Sequence, residues 1–229
     1  MGLCVFDLDH TLIRTPLDLA AMAADMRALI ERAGGPLPAR PDRYRVGELI
    51  AWSKTRAPEL EPAVWALALE REQRAMDAAT LEPGALAAVA GARRAGFRTA
   101  LWTNNARGIT VPALERLGLA ALLDLIVTRD DMRALKPDPD GWRVIAEHFT
   151  PRLGGDSTAA ARTATTHEAV VVGDSWVDGL AAAAVGVPFV AYRANDTDLA
   201  RWGVTPVARL ADLALLPDWL AARLNGLVR

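Results

Sequence analysis

Short, continuously apolar runs punctuate the chain at Leu3 to Leu8, Phe97 to Thr103, Leu123 to Val127, Ala169 to Gly173 and Pro188 to Tyr192. Unbroken hydrophobicity over that length, without polar alternation, is what a parallel strand covered on both faces requires. Between the runs, Gly84 to Ala95, Val111 to Leu117, Asp140 to Phe149 and Trp176 to Val185 carry helical patterns. The alternation predicts an α/β fold, a doubly wound parallel sheet. Its ligand crevice should lie at the carboxyl ends of the strands, beside the switch in strand order.

The stretch from Arg14 to about Thr80 breaks this rhythm and predicts a small inserted helical domain. Thr15-Pro16 is expected to begin its first helix, with Asp18 in the first turn. Leu19, Met22, Met26, Leu29 and Ile30 form an apolar face, and Gly34-Gly35 ends the helix. After a proline-rich loop from Gly35 to Pro41, helical patterns resume from Val46 to Trp52 and from Leu60 to Met76. The Met and Trp residues of the insert are expected to fill amphipathic faces. The division is therefore a core of residues 1–13 and 82–229 and an insert of residues 14–81. Pro151 to Glu168, polar and rich in Thr and Ala, reads as a surface loop without chemistry of its own.

At 229 residues and 52% hydrophobic, the chain can bury a full core. Its 26 basic and 28 acidic residues give a formal charge of −2 with no basic block, which argues against nucleic acid as a partner. Cys4 is the single cysteine, so neither a disulfide framework nor a cysteine metal cluster is available. The amino terminus shows no signal-peptide pattern and no apolar stretch is long enough to span a bilayer, so a cytoplasmic, membrane-free protein is expected.

The first apolar run delivers Asp7 and Asp9, one residue apart, to a strand end. Two carboxylates there repel each other and lose solvation; a divalent cation relieves both penalties and leaves an oxygen free to attack. Thr103-Asn104-Asn105, after the second run, offers a hydroxyl and then backbone N–H groups entering a turn, a setting for phosphate oxygens. Leu135-Lys136-Pro137-Asp138-Pro139 holds an ammonium in a proline-stiffened loop, where it can neutralise a transferring phosphoryl group. Gly173-Asp174-Ser175-Trp176-Val177-Asp178 follows an apolar run, opens a helix and places two carboxylates four residues apart. Each motif alone also reads as a helix cap, a solvated strand end or a surface lysine.

Taken in this order on these strand ends, the four motifs resemble the haloacid dehalogenase superfamily, most closely its phosphatase branch, and the insert is similar to the helical cap of the phosphoglycolate phosphatase-like group. The resemblance implies a phosphatase for a small phosphorylated metabolite. Asp7 would be the nucleophile that forms an aspartyl-phosphate, and Asp9 the acid and then the base. Thr103, Lys136 and N–H groups near Asn104 would hold the phosphate. Mg²⁺ would be bound by Asp7, the Asp9 backbone carbonyl and Asp174, with Asp178 orienting the set or acting through water. His10 departs from the glycine most common at its position and puts a side chain at the mouth of the site. The implied cap, hinged near Arg14 and Leu81, would close over the leaving group, with Lys54 and Arg56 as candidates to meet an anionic one or as solvated surface charges. A phosphomutase, a dehalogenase of the same fold and a non-catalytic binding protein are the alternatives.

Overall fold

The computed structural model describes residues 2–35, 37–40, 42–149 and 169–226, which divide into two compact units, residues 1–14 with 80–229 and residues 15–79. The expected loop from Pro151 to Glu168 lies outside the described residues.

The larger unit is built on a six-stranded parallel sheet. Its strands are β1 (Gly2–Phe6), β4 (Phe97–Trp102), β5 (Leu125–Val127), β6 (Ala169–Gly173), β7 (Phe189–Tyr192) and β8 (Ala208–Leu210), ordered β5-β4-β1-β6-β7-β8. From β1 the chain passes to β4 and β5 on one side and then crosses back to β6 on the other, so the switch in strand order falls at the carboxyl end of β1. Helices α4 (Ala85–Arg94), α5 (Arg107–Arg116), α6 (Asp140–Phe149), α7 (Trp176–Ala184), α8 (Asp196–Arg201) and α9 (Leu216–Leu224) belong to the same unit. Every residue of β1 and of β6 is buried, which is why both read as unbroken apolar runs. Val5, Trp102 and Val171 from the strands join Ile145 of α6 and Ala181 of α7 in one core cluster. Trp102 is 1% exposed and donates its indole N–H to the Met132 sulfur at 3.1 Å. A Cβ on Gly141 would sit 2.1 Å from that indole nitrogen, so only glycine lets α6 approach this closely.

Several elements differ from the expected spans. β1 stops at Phe6, before the aspartates. The Asp7 N–H still donates to the Val172 carbonyl at 2.9 Å, but the N–H groups of Leu12 and Ile13 then fold back onto the Leu8 carbonyl. β5 begins at Leu125; Asp124, just before it, donates its N–H to the Thr99 carbonyl at 2.8 Å and accepts the Thr99 N–H on its carboxylate at 2.9 Å. α5 begins at Arg107, so Pro112 lies inside the helix and not in its first turn.

Before and after the inserted residues, β2 (Ile13–Arg14) and β3 (Thr80–Leu81) pair antiparallel and place Arg14, Thr80 and Leu81 in the larger unit. Glu82, 4% exposed, holds this ribbon to the end of β7. It accepts from Arg14 Nε at 2.5 Å, the Tyr192 hydroxyl at 2.6 Å and Arg193 Nη1 at 2.9 Å.

The smaller unit contains α1 (Leu19–Arg32), α2 (Val46–Arg56) and α3 (Glu61–Asp77). α1 starts later than Thr15-Pro16: Asp18 is its N-cap and its carboxylate accepts from the Ala21 N–H at 2.9 Å, a contact worth about 1 kcal/mol. Met22, Met26 and Ile30 pack with Leu49, Val64 and Ala68, and Trp52 and Trp65 lie against them, as expected of packing residues. Leu19, assigned to that face from its spacing, is 58% exposed, because it occupies the first helical position, before the buried stripe begins. Gly34 follows α1 at φ 83, a left-handed conformation that favours glycine.

Candidate active site

Four loops at the carboxyl ends of adjacent strands bring the site together. Asp7 follows β1, Thr103 follows β4, Lys136 lies between β5 and α6, and Asp174 follows β6. Asp178 reaches in from the first turn of α7, where it forms a capping box with Ser175. Its Oδ2 accepts from the Ser175 N–H at 3.2 Å and the Ser175 hydroxyl at 2.9 Å, which leaves Oδ1 facing the lysine. A Cβ at Gly173 would lie 2.6 Å from the Asp178 carboxyl carbon, so the glycine makes room for this carboxylate.

Lys136 is the hub. Its side chain is 3% exposed and its ammonium donates to Asp7 Oδ1 at 2.7 Å, Asp178 Oδ1 at 2.6 Å and the Trp102 carbonyl at 2.7 Å, which uses all three N–H bonds. The loop carrying it is clamped by Asn104. That side chain accepts from the Lys136 N–H at 2.8 Å and donates to the Lys136 carbonyl at 3.0 Å. Asn104 thus spends its amide on holding Lys136 in place.

Acid groups collected in a buried place make the electrostatics lopsided. Burial, then the charge of Asp178 and, more weakly, of Asp9, pushes Asp7 up to about 7, although Lys136 pulls the other way. Burial, then Asp7 and Asp178, pushes Asp174 up to about 9. Burial works against the Lys136 ammonium, but Asp178 and Asp7 outweigh it and hold the lysine above its ordinary range. One cation cannot compensate three ionised carboxylates in so enclosed a place, so Asp7 and Asp174 hold their protons above the ordinary carboxylate range. Asp7, Asp174 and Asp178 each offer a carboxylate oxygen, all within 4.8 Å of one another, as a ligand set for a metal ion would.

The remaining candidates are placed differently. The Asp9 side chain is outside that acidic group; its Oδ2 accepts from the Asn105 side-chain amide at 2.5 Å. Thr103, 1% exposed, accepts the Asn105 N–H on its hydroxyl oxygen at 3.2 Å and keeps its own proton for an acceptor. Thr11, in the same loop as the aspartates, is fully buried, and its hydroxyl has no hydrogen-bond partner among the described residues. His10 is exposed and left-handed at φ 57, a conformation in which glycine carries no strain. Lys54 and Arg56 are exposed in the last turn of α2, in the smaller unit. Asn105 was not singled out by side chain, since its only sequence signal was its position two residues after Thr103.

An acidic, lysine-bridged crevice at the switch point of a doubly wound sheet defines the class of α/β protein to which this chain's relatives belong. The haloacid dehalogenase-like hydrolase family matches residues 1–186, and the chain belongs to that family. A phosphoglycolate phosphatase from Cereibacter sphaeroides is 33% identical over 207 residues, 82% of this chain and 83% of that protein. A plasmid-encoded phosphoglycolate phosphatase from Cupriavidus necator is 37% identical over 111 residues; the match spans 48% of this chain and 42% of that protein. Among solved structures, a hydrolase from Pseudomonas syringae shares the fold at a TM-score of 0.63 and 20% identity, with 100% of both chains covered. No helix among the described residues is long and apolar enough to cross a membrane.

Proposed function

We propose that the protein is a Mg²⁺-dependent phosphatase that hydrolyses a small phosphomonoester through an aspartyl-phosphate on Asp7. The observation that carries this reading is the buried Lys136 ammonium held between Asp7 and Asp178 with Asp174 beside them. That arrangement supports a carboxylate nucleophile facing a phosphoryl group, because it supplies fixed positive charge where phosphoryl oxygens gather negative charge. The names of the relatives make 2-phosphoglycolate, a phosphomonoester with a carboxylate of its own, the first substrate to test.

The donor set fits a hard divalent cation. It consists of carboxylates without thiolate or imidazole, and two of the three are pushed up in the cation's absence. Asp7 and Asp174 would hold it, with the Asp9 carbonyl as the resemblance implies, while Asp178, already bonded to Lys136 and Ser175, orients the set. When bound, such an ion would take the place of the protons on Asp7 and Asp174 and draw charge from the phosphoryl oxygens.

An Asp7 oxygen attacks phosphorus in line, and the bond to the leaving oxygen breaks as Asp9 gives that oxygen its proton. Asp9 then takes a proton from a water molecule whose oxygen attacks the same phosphorus. The Asp7–phosphorus bond breaks, inorganic phosphate departs and Asp7 is a carboxylate again. Thr103 and the N–H groups near Asn104 orient the phosphoryl oxygens, and Lys136 stabilises them through the charge it shares with Asp7.

Phosphate release from p-nitrophenyl phosphate and 2-phosphoglycolate, measured in EDTA and after Mg²⁺ is restored, tests the reading. Turnover should vanish in EDTA and return with Mg²⁺. Hydrolysis that persists in EDTA, or no release from any member of a panel of phosphorylated metabolites, would overturn it.

A further inference from the structure

Asp9 is held from the neighbouring strand. Asn105, 6% exposed in the loop that follows β4, makes three bonds at once. Its side-chain amide donates to Asp9 Oδ2 at 2.5 Å, its backbone N–H donates to the Thr103 hydroxyl oxygen at 3.2 Å, and its carbonyl accepts from the Arg129 N–H at 3.0 Å. The two backbone bonds tie Asn105 to the end of β4 and to the loop after β5, so its amide presents a fixed donor to a carboxylate that arrives on a separate loop.

We propose that Asn105 is a positioning residue for proton transfer at Asp9: its buried amide fixes the direction of the Asp9 carboxyl group and makes the two carboxyl oxygens inequivalent. The inference rests on the acid and base role given to Asp9 above.

Asp9 lies beyond the end of β1, next to a left-handed residue, on a loop that is only partly buried. A short side chain there loses its proper orientation easily, and an acid or base works only within hydrogen-bond reach of the proton it moves. An amide N–H donor bonds an oxygen lone pair and repels a hydroxyl hydrogen. The oxygen facing Asn105 is therefore kept as an acceptor, and the transferable proton is carried on Oδ1. Because the same residue also bonds Thr103, the group proposed to hold phosphate and the group proposed to protonate the leaving oxygen take their places from one side chain and its backbone.

The test separates positioning from structure through the leaving group. p-Nitrophenolate departs with little need of a proton, whereas the alkoxide of 2-phosphoglycolate needs one. Asn105→Leu keeps the volume without the donor, and Asn105→Ala removes both; if one fails to fold, judged by its urea unfolding midpoint, the other carries the test. On 2-phosphoglycolate kcat should fall by about 100-fold with KM little changed, the cost expected for a misplaced catalytic group. With p-nitrophenyl phosphate, release of the first p-nitrophenolate equivalent should slow by less than about 10-fold, and a burst should appear because hydrolysis of the phosphoenzyme, which needs the base, becomes limiting. Equal losses in the first-turnover release of the leaving group from both substrates, or an unchanged kcat on 2-phosphoglycolate, would overturn the inference and leave the phosphatase reading intact. If the wild type does not turn over 2-phosphoglycolate, the alkyl phosphomonoester of the panel that it hydrolyses best takes its place; a wild type inactive on the whole panel would overturn that reading, and this inference with it.

Discussion

Filling the carboxylate cluster with Mg²⁺ should cost protons, and the structure says how many. At pH 6, Asp7 near 7 and Asp174 near 9 are both largely protonated in the metal-free protein; at pH 8 Asp7 is mostly ionised and Asp174 is not. A ligand proton that must be displaced weakens apparent affinity about tenfold for each pH unit below that group's pKa. From pH 6 to pH 8 the Asp7 proton thus accounts for roughly 10-fold and the Asp174 proton for roughly 100-fold, a combined gain in Mg²⁺ affinity on the order of 10³. Titration calorimetry at pH 7, in two buffers of different ionisation enthalpy, should count about 1.5 protons released per ion bound. The same shifts fix the sign for stability. Both acids are raised when folded, so their contribution is complete below pH 4 and is lost as pH rises towards 9 in EDTA, while saturating Mg²⁺ should flatten the loss. An affinity that stays level between pH 6 and pH 8, with no proton release, would refute the argument that burial and mutual repulsion keep these carboxyls protonated.

Three further outcomes follow from particular contacts. Gly173→Ala places a methyl group 2.6 Å from the Asp178 carboxyl carbon, so it should cost about 1–3 kcal/mol in urea unfolding and raise the Mg²⁺ requirement by displacing the partner of Lys136; a neutral effect would show that the loop yields freely. Glu82→Gln removes the charge that Arg14, Tyr192 and Arg193 bond and should cost about 2 kcal/mol at pH 7, with the half-exposed arginines adding little. Burial would raise Glu82, but its bonds from Arg14 and Tyr192 hold it below the usual range, so the wild type should lose this contribution as pH falls below about 4.5 and the variant should not. If Lys54 and Arg56 meet an anionic leaving group, changing both to Ala should weaken selection among anionic phosphomonoesters and spare p-nitrophenyl phosphate; equal loss on every substrate would point to damaged folding, and no change on any would return them to solvated surface charges.

The strands that carry the site were legible because they are covered on both faces and so read as continuous apolar runs. Ala169 to Gly173 matches its strand residue for residue. Short, half-covered elements were not: β8, three residues at the sheet's edge, and the two-residue strands of the ribbon lack a pattern long enough to register. α5 begins at Arg107, four residues before the helical pattern at Val111, and holds Pro112 in its interior. At the site, residue types and strand ends pointed to Asp7, Lys136, Asp174 and Asp178, which the structure gathers. Spacing alone could not show that the Asn104 amide clamps the Lys136 loop or that Asn105 reaches Asp9, because both depend on the register of loops far apart in sequence.

The central claim is that Asp7 is the atom donor to phosphorus, and steady-state phosphate release by Asp7→Asn in saturating Mg²⁺ tests it most directly. The variant keeps the side-chain shape and loses the attacking carboxylate, so turnover of p-nitrophenyl phosphate should fall to background while the fold, judged by its urea midpoint, is retained. Near-native phosphate release from Asp7→Asn would contradict the account.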